Sequence, residues 1–252
     1  MKWDLNSLPR FYVDIELIVG EAYNLPDDVV RHINVLRLRA SENIELFNGD
    51  GYSYLAKFIN LEKRLVTVEI LNKQLLDTES PVKIILLMAL IANDKFDLVV
   101  QKAVELGVSE IVPIITQNTQ RNFSNDKISK KLEHWQKIII SASEQSFRNV
   151  LMKISEPLDF KDAVRNVINV SHKYILSPHH DNKSNINDIV GSTAFVLCVG
   201  PEGGFVSEEV SFAIDNGFTT CLLGRRIMRA ETAAISGISA LQIKYGDFKE
   251  IK

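Results

Sequence analysis

The sequence contains only two cysteines, Cys198 and Cys221, in 252 residues. That scarcity excludes a disulfide-stapled scaffold, and thiols inside apolar, strand-like runs suit a reducing cytoplasm. Long hydrophobic runs are also lacking. The run Ile84 to Ala92 is too short for a membrane-spanning helix, so no membrane association is expected. The opening Met1-Lys-Trp-Asp-Leu-Asn has no apolar core of the kind a secretory signal carries. An excess of charge is missing too. The net charge is -3, from 29 Lys and Arg against 32 Asp and Glu. Residues 1–74 hold 9 basic and 11 acidic side chains, and the remainder 20 and 21. Charge alone therefore announces no nucleic acid, and any such site must be a local patch. Neither repeats nor low-complexity segments occur. What remains is an ordinary globular composition, 46% hydrophobic and 24% charged, long enough for one large domain or two moderate ones.

Residues 1–74 read as β-rich. Arg10–Asp14 is a short strand, and Asn43–Phe47 alternates before the hairpin signal Asn48-Gly49-Asp50-Gly51. Tyr52–Asn60 is the return strand, and Leu65–Leu71 alternates again. Pro26-Asp27-Asp28 opens a helix through Val35, with Asp27 or Asp28 as its cap. Several short strands with one helix predict a small barrel. In Val35-Leu36-Arg37-Leu38-Arg39, the two arginines share a strand face if the segment is extended. With Arg10 they either hold phosphates or form a solvated face over Leu36 and Leu38. The polar stretch 72–80 reads as an interdomain connection.

From Pro81 the pattern changes to alternating strands and helices. Val82–Ile91 is apolar throughout, as in a strand buried on both faces. A helix capped by Asn93 or Asp94 runs to Gly107, followed by strand Ile111–Ile115. Ser124 or Asn125 opens a long helix to about Phe147. Asp159–Ile168 is helical, and Lys173–Leu176, Ala194–Val199 and Thr219–Leu223 are strands. The last helix, Glu231 to about Tyr245, carries Ala233, Ala234, Ser236, Gly237 and Ala240, which implies close approach to another backbone.

Two glycine loops follow two of these strands. Gly200-Pro201-Glu202-Gly203-Gly204-Phe205 is neither a dinucleotide fingerprint nor a Walker loop. Glu202 would repel a pyrophosphate; it suits hydroxyls, a cationic ligand or the amides of its own loop. Ser207 reads as the cap of the next helix, with Glu208 and Glu209 in its first turn. The second loop, Leu223-Gly224-Arg225-Arg226-Ile227-Met228-Arg229-Ala230-Glu231, sets three arginines before a helix start, where cations gain nothing from the dipole. They are aimed outward, at an anion or at solvent. In an open α/β sheet ligands bind beyond the carboxyl ends of the strands, so both loops can serve one pocket. Adjacent His179-His180-Asp181 lack a third ligand at metal-binding spacing, so no metal is expected. The absence of G-x-S-x-G argues against a serine hydrolase. The polar run Glu144-Gln145-Ser146-Phe147-Arg148 ends the long helix with more polarity than exposure requires.

Taken in order, these motifs resemble the ribosomal RNA small-subunit methyltransferase E family. Beside the two loops, the similarity covers Arg10–Asp14, His32–Arg39 and Leu46–Gly51 in the first part. Gln101–Pro113, Trp135–Ile138 and Ser143–Ser146 carry it through the second. The resemblance implies an α/β fold: a small N-terminal PUA-like β-barrel at 1–74 and a C-terminal SPOUT domain at 75–252, mostly parallel and trefoil-knotted. It implies S-adenosylmethionine as methyl donor and N3 of one 16S rRNA uridine in the small ribosomal subunit as acceptor. It also implies a homodimer. Leu176, Gly200, Pro201, Glu202, Gly203, Leu223, Gly224, Ile227, Met228 and Ala230 are then expected at the cofactor. Arg229 is expected to stabilise charge on the uridine, with Glu231 orienting it. Arg10, Arg37, Arg39 and Arg121 are expected to contact RNA. The chain departs from the family pattern at Gln117-Asn118, where Glu-Arg is common. It departs also at Arg31 before His32, at Phe147 where Gly is common, and at Ala230 where Thr is frequent. The alternatives are a non-catalytic RNA-binding protein on a degenerate fold and a methyltransferase for another RNA.

Overall fold

The computed structural model describes residues 8–119, 125–177, 184–185 and 193–249. It divides into two compact units, Met1–Glu79 with Ser143–Leu151, and Ser80–Ala142 with Met152–Lys252. A segment distant in sequence thus belongs with the N-terminal strands, an arrangement that a single boundary in the chain does not express.

The first unit contains β1 (Arg10–Tyr12), β2 (Ala22–Asn24), α1 (Asp27–Leu36), β3 (Asn43–Phe47), β4 (Tyr52–Leu61) and β5 (Val66–Leu75). The strands form one sheet in the order β1-β3-β4-β5-β2. β1 runs parallel to β3, and the other pairs are antiparallel. The period-2 pattern buries Ile44 and Leu46 of β3 and Val66, Val68 and Ile70 of β5 completely. Val29, Val30 and Ile33 of α1 pack into the same core. At the β3–β4 hairpin, Gly49 and Gly51 take φ of 94° and 89°, which side chains resist. Irregular register within β4–β5 at Leu55/Ala56 and Phe58/Asn60 bends the sheet.

Three expectations for this unit change. The supposed connection at 72–80 begins later, because the long β4 has partners for β5 as far as Leu75. Neither Asp27 nor Asp28 caps α1; Pro26 is the N-cap residue, and both acids sit in the first turn, where the dipole favours them. The segment Val35–Arg39 is not a strand. The apolar face of α1 carries the helix through Leu36, and Arg37 ends it in the left-handed region at φ 55°. Arg37 and Arg39 consequently share no strand face, and Leu36 is exposed rather than in the core.

Arg10 also differs from expectation. It is 6% exposed, and its Nη2 donates to Asn149 Oδ1 at 2.5 Å. Its Nε lies 3.2 Å from Glu45 Oε2, and its guanidinium sits 4.9 and 4.8 Å from the rings of Phe47 and Phe147. Burial lowers its pKa below the usual arginine range. A side chain so enclosed is committed to the interior and does not reach a phosphate at the surface. The polar run after Ser143 is explained by the same network. Tyr12 N donates to Glu144 Oε1 at 3.1 Å, and burial raises the Glu144 carboxyl above its usual range. Arg148, 3% exposed, grips Glu79 through Nε and Nη2 at 3.0 and 2.5 Å. Phe147 stands at φ 63°, an unfavourable conformation for a bulky side chain at a position where the resembling family commonly has glycine. Its contact with Arg10 offsets part of that cost.

The second unit contains β6 (Lys83–Ala89), α2 (Asn93–Glu105), β7 (Glu110–Ile115), most of α3 (Asn125–Ser146), β8 (Lys153–Ile154), β9 (Leu158–Asp159) and α4 (Phe160–Asn166). It continues through β10 (His172–Leu176), β11 (Ser184–Asn185), β12 (Ala194–Val199), α5 (Ser207–Asp215), β13 (Phe218–Leu222) and α6 (Ala230–Tyr245). Its strands run β11-β13-β10-β12-β6-β7-β8, with β9 pairing β7, and every pair is parallel. Residues 84–89 of β6 and 195–199 of β12 are all buried, as continuous apolar central strands require. Cys198 and Cys221 are buried, and neither forms a disulfide. They lie on β12 and β13, either side of β10. Two strand spacings, about 9.5 Å, exceed disulfide reach.

Helix starts again depart from the expected caps. α2 begins at Asn93 behind Ala92 and has no side-chain cap. Val206, not Ser207, precedes α5, and its N–H is taken by Glu209 Oε2 at 3.1 Å. Asp159 does cap α4, accepting from Lys161 N at 2.9 Å. The small residues of α6 admit close packing, though at Gly237 the near neighbours are side chains rather than the backbone expected. α6 packs on α2, β12 and β6, and a Cβ on Gly237 would lie 2.7 Å from Leu197 Cδ2.

Candidate active site

β10, β12 and β13 are neighbours and parallel, so their carboxyl ends meet on one edge of the sheet. Leu176 pairs with Val199 on one side and with Cys221 on the other. The chain leaves Val199 into the loop at 200–206 and leaves Leu222 into the loop at 223–229. A cavity of about 460 Å³ lies between Gly200–Gly204 and Ile227–Ala230. A smaller one, about 100 Å³, continues past Leu222, Gly224 and Arg226. Both are lined by Leu176, Ile227, Met228 and Ala233, so they are parts of one cleft. A cleft of this size at the strand ends fits a small-molecule site.

Glycine is required at two places in its wall. A Cβ on Gly200 would stand 3.0 Å from the Phe205 ring, and Gly224 takes φ of 117°. Behind the first loop, Asn118 Nδ2 donates to the carbonyls of Gly203 and Gly204 at 3.1 and 3.0 Å. Glu202, exposed, pairs with Lys95 at 3.4 Å. All ten residues expected at the cofactor line one part of the cleft or the other.

The arginines of the second loop are exposed, as their place before a helix start suggested. Arg229 lines the cleft and is the N-cap residue of α6, its carbonyl accepting from Ala233 N at 2.8 Å. Glu231 does not orient it. Among the described residues no ion pair joins the two, and Glu231 Oε2 is shielded from solvent without a partner. Residues two apart at a helix start do not face each other. Ile227 is 88% exposed at the mouth of the cleft. Among the described residues no group of three or more His, Cys, Asp or Glu could hold a metal ion; His179-His180-Asp181 lie outside them, as does Arg121.

Two family models match this chain. That of the RNA methyltransferase domain covers residues 78–242, and that of the RNA methyltransferase PUA domain covers residues 25–71. The ribosomal RNA small subunit methyltransferase E of Buchnera aphidicola from Acyrthosiphon pisum is 32% identical over 245 residues, 96% of either chain. This chain belongs to the ribosomal RNA small subunit methyltransferase E family. The Bacillus subtilis member is 26% identical over 93% of this chain and 96% of its own. The Neisseria gonorrhoeae member, solved bound to S-adenosyl methionine, superposes with a TM-score of 0.90 at 40% identity, covering 96% of this chain and 99% of its own. A Legionella pneumophila putative methyltransferase, in complex with the same cofactor, gives 0.91 at 34% identity over the same shares.

The RNA methyltransferase domain model includes the whole cleft and both loops. Residues that sequence reasoning passed over support it from behind. Glu209, read only as a partner of the helix dipole, is 8% exposed and accepts from Gln117 N at 2.8 Å as well as from Val206 N. An acid next to the apolar Val210 was the available signal; that it is buried depends on the fold.

Proposed function

We propose that this protein transfers a methyl group from S-adenosylmethionine to N3 of a uridine in 16S rRNA of the small ribosomal subunit. The observation that carries the reading is the cleft between the two glycine loops at the ends of β10, β12 and β13, with Arg229 in its lining. Such a cleft fits the cofactor. Main-chain groups at Leu176, Gly200–Gly203 and Leu223–Met228 suit the adenosine part, which offers flat faces and hydroxyls rather than a phosphate. S-adenosylmethionine supplies an electrophilic methyl group. Uridine N3 is a poor nucleophile while it keeps its proton; once that proton passes to water, the charge spreads to O2 and O4, and the new N3–methyl bond replaces the sulfur–methyl bond, with S-adenosylhomocysteine as the leaving group. Arg229 stabilises this charge, and the cleft aligns the base. Reaching the cleft requires the uridine to leave its stack.

Arg37 and Arg39, exposed beyond α1, hold the RNA backbone together with Arg121. Arg10 has no such role. The assembly is a cytoplasmic homodimer with a trefoil-knotted second unit. Three features support this: α6 returning from β13 over β12 and β6, exposed Ile243 and Phe248 near residue 249, and two buried cysteines outside any disulfide. Gln117 and Asn118, where the chain departs from the family pattern, bond to Glu209 and to the first glycine loop, which favours an intact cleft over the non-catalytic alternative. Titration calorimetry with S-adenosylmethionine tests the reading. Saturable binding of one cofactor per cleft is expected; no heat at millimolar cofactor would overturn it.

A further inference from the structure

We infer that Asn118 is a positioning residue for the cleft, an amide clamp that sets the Gly200–Phe205 wall against which the cofactor binds. The inference rests on the reading of that cleft as an S-adenosylmethionine site. The Asn118 amide nitrogen donates to two carbonyls of one loop, those of Gly203 and Gly204. Two acceptors for one amide fix which end of it faces the loop. The approach is close, since a Cβ on Gly203 would lie 3.2 Å from Asn118 Cβ. Without a tie, a loop with glycine at 200, 203 and 204, the last at φ 70°, samples many shapes.

The clamp is itself held. Thr116 N donates to Thr119 Oγ1 at 2.9 Å, and Thr119 N returns to Thr116 O at 3.0 Å. Gln117 N is anchored on the buried Glu209, whose other oxygen takes Val206 N just past the glycine loop. The turn after β7 and the loop after β12 are therefore joined twice, at Gly203 and Gly204 through Asn118 and at Val206 through Glu209. Asn118 is exposed, so its bonds compete with water and add little to global stability. Their effect is to hold the wall in its binding shape before the cofactor arrives, which saves ordering cost on binding. Affinity should thus depend on Asn118 more than stability does.

The test compares the full-length protein with Asn118→Ala and Asn118→Asp, by calorimetry with S-adenosylmethionine, thermal unfolding and methyl-transfer kinetics. Asn118→Ala should raise the cofactor Kd about tenfold. The thermal midpoint should stay within about 2 °C. The cofactor KM should rise, while kcat at saturation changes less than about threefold. Asn118→Asp should bind more weakly still, because a carboxylate faces two carbonyl oxygens. It should recover part of its affinity between about pH 8 and pH 5, as the protonated acid regains a donor; the wild type should show no such recovery. Affinities of both variants within about twofold of wild type would overturn the inference, as would a loss that only tracks thermal stability. Failure of the wild type itself to bind would instead refute the reading of the cleft, and the inference with it.

Discussion

Arg229 is where the proposed chemistry meets the described geometry. It caps α6 with its main chain and lines the cleft with its side chain, and no acid among the described residues neutralises it. A cation kept free at a helix start gains nothing from the dipole, so its position is costly unless an anion visits. Arg229→Ala should lower kcat by at least about a hundredfold, the cost of losing one donor to a developing anion. Cofactor Kd should stay within about threefold. Stopped or steady-state methyl transfer beside calorimetry measures both, and normal turnover would remove Arg229 from its role. The residues of both glycine loops were legible in the sequence, because glycine spacing and the apolar runs before it are local signals. The enclosure of Arg10 was not. An arginine opening a strand looks alike whether it faces solvent or the Phe47, Phe147 and Asn149 that surround it here, and two of those lie more than 130 residues away.

At the level of elements, strand and helix types follow from periodicity, whereas their ends depend on competition between bonds. α5 illustrates this: Ser207 has the chemistry of a cap, yet Glu209 reaches back to Val206 and starts the helix one residue earlier. α1 illustrates the same point at its other end, where the helix continues into the segment that alternation assigned to a strand. Sheet order is less accessible still, since β12 enters between β10 and β6 across long stretches of chain. The element with the sharpest demand is α6. Gly237 faces Leu197 of β12 and lies close to Leu176 at the cleft. Alanine normally gains about 1 kcal/mol over glycine inside a helix. Here the added methyl group meets a fully buried leucine, and overpacking costs about 1–3 kcal/mol. Gly237→Ala should accordingly lower the thermal midpoint by about 2–4 °C, whereas a rise in calorimetric scans would show that α6 has room to spare.

For the whole molecule, net charge conceals its partner. An acidic total of -3 coexists with exposed arginines at 37, 39, 225, 226 and 229, which are local features as the composition required. If Arg37 and Arg39 hold phosphates, replacing both by alanine should weaken RNA binding and reduce the slope of log K against log salt by up to about 2. An unchanged slope in filter-binding or fluorescence titrations would free the first unit from that assignment. Membership in the methyltransferase E family rests on near-complete coverage and on the SAM-bound relatives, while the choice of base rests on the family resemblance. The direct test of that chemistry is transfer of a labelled methyl group from S-adenosylmethionine to small ribosomal subunits purified from cells lacking this protein, with the site located by primer extension. One methyl group on a single 16S rRNA uridine, with extension arrested there because N3 methylation blocks pairing, is the predicted result. Label on another base or another RNA, or no label with a cofactor-bound enzyme, would contradict it.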